Sequence, residues 1–269
     1  MLSVIRKIVS RLPEGQQARL TRLRRPRLAY LLLQRTTPIS RSHGFDRGTP
    51  VDRHYIEKFL QENGRYIRGV CLEVTDGTYT RRYGSDISRV DVLDINPANP
   101  QANVVGDLRR LQSVEDETYD CFILTQVLQY IDDVDAAVRE VARILKPGGS
   151  VLVTLPSLHA MEAGHPHYWK FSTHSAKYLF GKYFPADHLE VRGWGNVATG
   201  VAAWVGMARE DLPRRHLEEH DPRYPCTITV RATKPARAVA ASPAQGELIG
   251  RSVSVALGAL GACTGVAAF

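Results

Sequence analysis

Little in this chain supports disulfide or zinc chemistry. The sequence has four cysteines and no C-x-x-C pair, which gives neither a disulfide framework nor a zinc site. Cys71, Cys121 and Cys226 sit in apolar runs and read as small buried hydrophobes of a reducing compartment. No secretory leader is expected, because Arg6, Lys7 and Arg11 interrupt the first apolar run before an export core can form. The expectation is a cytoplasmic protein. No unit recurs at a fixed period, which excludes a solenoid or propeller. The basic segments carry no interleaved aromatics and no recognisable reading motif, which argues against nucleic acid as a partner.

With 269 residues and 43% hydrophobic content, the chain can bury one full core, so one main domain with extensions is expected. Its net charge of +7 is unevenly spread. Residues 1–54 hold 12 Lys or Arg against 3 Asp or Glu, and the rest is slightly acidic. The segment 1–43 therefore reads as a basic amphipathic extension. Val4, Ile5, Ile8, Val9 and Leu12 share a helical face, and Arg22, Arg24, Arg25 and Arg27 precede an apolar run at 28–33. Two readings stay open: helices that cap the core, or an interfacial segment drawn to anionic lipid. Residues 235–269 read as an Ala/Gly-rich tail, poorly ordered, with a membrane anchor as the alternative.

The positive signal lies between these ends. Val70-Cys71-Leu72-Glu73-Val74 is an apolar run that ends in an acid and the turn Thr75-Asp76-Gly77. A second run ends in Asp94, a third in Gly106-Asp107, and a fourth opens at Tyr119. Runs of common polarity closing in acids frame a nucleotide-like ligand at the carboxyl ends of adjacent parallel strands. Val134, Ala137, Val138, Val141, Ala142 and Leu145 then recur at helical spacing. Lys146-Pro147-Gly148-Gly149 stops that helix, and a strand resumes at Ser150. Together these predict a βαβ crossover.

On these motifs, residues 44–234 resemble a class I methyltransferase dependent on S-adenosylmethionine, of the type 11 kind. The resemblance implies a Rossmann-like α/β fold with a seven-stranded, mostly parallel sheet and helices on both faces. It also implies S-adenosylmethionine as cofactor, held by Glu73, Thr75, Gly77, Asp94, Asp107, Leu108 and Gln126. In this assignment Asp94 takes the ribose hydroxyls and Asp107 the adenine amino group, while Glu73 fixes the first loop or the cofactor's amino group. The sequence departs from the family where Thr75 and Tyr79 replace small residues of the first motif. Tyr79 either closes over the methionine end or fills the cleft. A non-catalytic scaffold is therefore the alternative function. A nicotinamide-dependent oxidoreductase would show a fuller glycine fingerprint.

The acceptor half is expected after the fifth strand, where His165-Pro166-His167-Tyr168-Trp169-Lys170-Phe171-Ser172 concentrates imidazoles and aromatics. Tyr130, Tyr168 and Trp169 are the candidate substrate contacts. His167, with His165 as second choice, is the candidate general base, because imidazole titrates near neutrality. No acid or thiol stands beside this pair in sequence, so no metal is assigned. A helix is expected over 173–183. The segment 44–56, rich in Asp, Arg, Gly and Pro, predicts a shaped lid, with Asp52 and Tyr55 toward the cofactor and Arg47 and Arg53 as ties. Similar loops and lead-ins occur in methyltransferases associated with glycan and natural-product assembly. That subgroup implies O-methylation of a sugar or hydroxylated metabolite.

Overall fold

The computed structural model describes residues 36–162 and 164–237. Most of the basic arm and nearly all of the Ala/Gly-rich tail lie outside the described residues. In chain order the described elements are α1 (Val51–Glu62), β1 (Gly69–Val74), α2 (Thr78–Tyr83), β2 (Ile87–Asp94), β3 (Val104–Val105), β4 (Tyr119–Thr125), α3 (Val134–Ile144), β5 (Leu145–Pro156), α4 (Thr173–Phe180), β6 (Leu189–Trp194), α5 (Val197–Trp204), α6 (Arg214–Glu218) and β7 (Thr227–Thr233). The strands form one seven-stranded sheet ordered β3-β2-β1-β4-β5-β7-β6. Strands β1 to β5 pair in parallel, and β7 runs antiparallel to both β5 and β6. This is the seven-stranded, mostly parallel Rossmann-like α/β fold that the motif order predicts.

Strand alternation divides the interior into two cores. Along β4, Cys121 and Ile123 face a cluster built on α1, with Tyr55, Ile56, Phe59 and Leu60. Phe122 and Leu124 face the opposite cluster, built on α3 and α4 with Val138, Val141 and Phe180. Successive side chains of a strand point to opposite faces, so an unbroken apolar run marks a sheet covered on both sides. Cys71, Cys121 and Cys226 are buried free thiols, as their apolar neighbours predict.

Several boundaries differ from the sequence expectation. The Lys146-Pro147-Gly148-Gly149 stop is absorbed into β5, which pairs Leu145 with Tyr119 and then, across an irregularity, Ser150 with Cys121. Gly148 at φ +80° makes the excursion possible. Helix α4 ends at Phe180, short of Tyr183, and starts in a reciprocal Ser172/Ser175 capping box. The segment expected as a lid is an amphipathic helix from Val51 onward, with only its lead-in irregular. Tyr55 consequently does not face the cofactor cleft. It is fully buried between Trp194 and His220, and burial pushes its hydroxyl up to about 12. Arg47 is a tie, as expected: its guanidinium pairs with Asp211 through two 2.9 Å bonds. Among the described residues, no helix is long and apolar enough to cross a membrane.

Candidate active site

The sheet order reverses between β1 and β4, and ligands of such sheets bind beyond the strand carboxyl ends at that point. A cavity of about 630 Å³ opens there, within the usual range for small-molecule sites. Its walls include Glu73, Thr75, Asp94, Asp107, Leu108, Gln126 and Tyr130 from the predicted set.

The turn after β1 is held from three sides. Glu73, only 2% exposed, accepts hydrogen bonds from the backbone N–H of Tyr79 at 3.0 Å and of Thr80 at 2.7 Å. It therefore caps the start of α2, the loop-fixing role among those expected for it. Burial raises its carboxyl above the ordinary range, partly opposed by these donors. Thr75 adopts φ +69°, a left-handed conformation that a β-branched residue rarely takes. Its N–H donates to Leu93 O at 2.9 Å, and its carbonyl accepts from Asn99 Nδ2 at 2.7 Å. Strain of about 1–3 kcal/mol persists only where such contacts over-determine it, and it clusters at functional sites. Gly77 is not in the wall. A Cβ there would meet Val90 Cγ1 at 2.9 Å, so this glycine serves the close packing of α2 on β2.

Asp94 ends β2 and accepts from Asn96 N at 2.8 Å and Asn99 Nδ2 at 2.7 Å. Asn99 thus links the acid to the first turn, a role that sequence reading missed. Asp107 is clamped by Arg109 Nε at 3.1 and 2.9 Å, which lowers its pKa. Tyr79 stays in the wall, where its hydroxyl accepts from Arg53 Nη1 at 2.7 Å, and the cavity remains open beside it. Beyond β4, Gln126 has φ +53°, and both of its amide atoms are buried without partners, as is Gln129 Oε1. Buried orphan amides on a cavity wall indicate a polar ligand.

The same wall carries His43, His159 and His165, with Asp52, Glu162 and Tyr130. His159 and His43 stack with ring centroids 4.6 Å apart. Burial pushes Tyr130 up to about 12. The leading candidate base is misplaced for its role: His167 lies outside the wall, edge-on to Tyr130 at 4.5 Å, with Nε2 accepting from Glu162 N at 3.3 Å. Tyr168 and Trp169 are also outside the wall. Tyr168 N donates to Gln129 O at 2.8 Å, and the Trp169 indole N–H donates to Ile131 O at 2.7 Å, so both dock the loop against the segment after β4. His43 and His159 went unpredicted. The only sequence signal for His159 is its place just past β5, at the ligand edge of the sheet. Among the described residues, no three His, Cys, Asp or Glu side chains form a metal-holding group.

Residues 68–153 match the methyltransferase domain family. A ubiquinone/menaquinone biosynthesis C-methyltransferase UbiE from Idiomarina loihiensis is 29% identical over 102 residues, covering 30% of this chain and 40% of that one. The match therefore spans less than half of that relative. Among solved structures, a Haloferax volcanii methyltransferase in complex with the Trm112 activator is 19% identical, covers 68% of this chain and 91% of its own, and has a TM-score of 0.47. A phosphoethanolamine N-methyltransferase 2 from Haemonchus contortus with S-adenosylhomocysteine is 16% identical, covers 68% and 53%, and has a TM-score of 0.46. The sheet order and the cleft at its switch point are those of a Rossmann-like α/β fold, and residues 68–153 of that fold match the methyltransferase domain family.

Proposed function

We propose that this chain transfers a methyl group from S-adenosylmethionine to an oxygen of a sugar or other hydroxylated small molecule. The observation that carries the reading is the lining of the cavity, which joins Asp94, Asp107 and the orphan Gln126 amide with three imidazoles. The first group suits the cofactor. Asp94 has acceptor capacity left for ribose hydroxyls, Asp107 and Leu108 would border the adenine, and the Gln126 amide would gain partners. When bound, the cofactor supplies an electrophilic methyl on a sulfonium. The chain's part is to align the acceptor oxygen in line with that methyl, exclude water and take the hydroxyl proton. A hydroxyl needs such a proton acceptor, and the imidazole rim supplies candidates.

The test uses methyl-labelled S-adenosylmethionine with methyl glucoside, glycerol and catechol as probes. A labelled methyl ether is expected. Label on carbon or nitrogen would contradict an oxygen acceptor, and bound cofactor without any transfer would favour the scaffold alternative.

A second proposal places this chemistry at a membrane surface. The basic arm joins the described fold where Ile39 and Ser40 donate to Val205 O at 2.7 and 3.2 Å, directly after α5. Val197, Val201 and Trp204 of that helix are exposed at i, i+4 and i+7. An apolar helix face near the point where a chain segment rich in basic residues enters the described fold suits an anionic bilayer, each basic residue near the surface contributing about 1 kcal/mol. The protein should sediment with vesicles containing phosphatidylserine at low salt, release at high salt, and lose this association on deletion of residues 1–35 with cofactor affinity kept. Absence of sedimentation at low salt would refute it.

A further inference from the structure

We propose that His159 is the proton acceptor of this cavity and that Asp52 is its positioning residue. The inference rests on the methyl-transfer reading above and names the residue that performs its proton step. His159 is presented by the segment following β5, and Asp52 by the first turn of α1. Both line the cavity, at 15% and 13% side-chain exposure.

The tautomer follows from the contacts. His159 Nδ1 lies 2.8 Å from the carbonyl of Ala160, which can only accept, so Nδ1 carries the hydrogen and the neutral ring has its lone pair on Nε2. Nε2 in turn is 3.9 Å from Asp52 Oδ2. Two acceptors face each other at a separation too long for a hydrogen bond. The arrangement is complete only once Nε2 gains a proton.

In the proposed step the acceptor oxygen uses a lone pair to form its bond to the methyl carbon. The electron pair of the breaking carbon–sulfur bond goes to sulfur, leaving a neutral thioether. The hydroxyl proton passes to His159 Nε2, and its O–H bonding pair stays on the ether oxygen. The positive charge that leaves the sulfonium thus reappears on the imidazolium, beside the Asp52 carboxylate. The groups facing His159 are Asp52 from α1, the stacked His43 from the lead-in, itself paired with Glu162, and Lys170 and His167 from its own loop. Lys170 Nζ donates to the His159 carbonyl. Burial holds the His159 pKa below the ordinary imidazole value, with Asp52 opposing and His43 and Lys170 reinforcing this, so the ring rests neutral and able to accept. His167 cannot serve in this way, because its Nε2 already accepts from Glu162 N.

The decisive experiment is a histidine titration by NMR on the full chain without added ligand, with the His159 resonance assigned by loss in His159→Gln. Asp52→Asn is expected to lower the His159 pKa by about one unit. Asp52→Glu should restore most of the shift, and His43→Asn should raise the value. A purely structural Asp52 would lower the melting temperature and leave the titration alone. An unshifted titration in a folded Asp52→Asn protein overturns the pairing; should that variant fail to fold, Asp52→Ser, which also removes the charge, decides by the same criterion. With whichever hydroxyl probe is methylated, His159→Gln should lower turnover by about 10²–10⁴-fold and change cofactor affinity less than about twofold. The acid limb of the pH–rate profile should move to lower pH in Asp52→Asn. Full turnover in His159→Gln overturns the assignment. Failure of the wild type to bind S-adenosylmethionine removes the methyl-transfer reading and the catalytic role with it, whereas bound cofactor with an unshifted titration refutes only the pairing.

Discussion

Alanine in place of Glu73 is expected to weaken S-adenosylmethionine binding by about a hundredfold, roughly 2.7 kcal/mol. Its carboxylate is nearly inaccessible and holds the N–H groups of Tyr79 and Thr80 at the start of α2. Without it, one buried and one part-buried donor lose their acceptor, at up to about 1–3 kcal/mol each, and the strained Thr75 turn loses one of its three supports. The loss of global stability should be smaller than the sum of those two terms. Burial disfavours the charged form of Glu73, so removing it also relieves a desolvation cost. Calorimetric titration and a melting curve on the same variant separate the two effects. Wild-type affinity in Glu73→Ala would mean that the turn is fixed by its other contacts alone, and Glu73→Gln, which keeps one acceptor, should fall between.

Asp94→Ala should weaken the same binding by about 1–3 kcal/mol, the loss expected when charge-assisted hydrogen bonds are removed. Part of that loss is indirect. Asp94 Oδ2 holds Asn99, and Asn99 in turn holds the Thr75 carbonyl. Asn99→Ala removes the link but keeps the acid, so its smaller effect measures the turn's share. If Asn99→Ala costs as much as Asp94→Ala, the carboxylate acts only through the turn and contributes nothing to the ribose directly.

The sheet and its two-sided burial were legible because a strand covered on both faces must be apolar through its central positions, as Cys121 to Leu124 of β4 and Val151 to Val153 of β5 are. The acids at the ends of β1, β2 and β3 were legible for a related reason, since a polar residue closing such a run marks where the strand leaves the core. The imidazole cluster of the cavity wall was not. Asp52 and His159 meet only because α1 packs across the sheet face, and no local spacing encodes that approach. Tyr55 is a different kind of miss. Val51, Tyr55, Ile56, Phe59 and Leu60 have the period of a helix and share its buried face, but Pro, Gly and Asp in the preceding residues directed the reading toward a lid. The aromatic density of residues 165–172 was a true signal for loop docking, because Trp169 spends its indole N–H on Ile131 O. Composition alone cannot separate a ring that holds a loop in place from one that contacts a substrate.

The most direct test of the whole account is calorimetric titration of S-adenosylmethionine into the wild-type chain, with S-adenosylhomocysteine as competitor. Saturable binding at one site per chain, displaced by S-adenosylhomocysteine and weakened by Asp94→Ala, is the predicted result. No detectable binding to a protein that melts cooperatively would contradict the account.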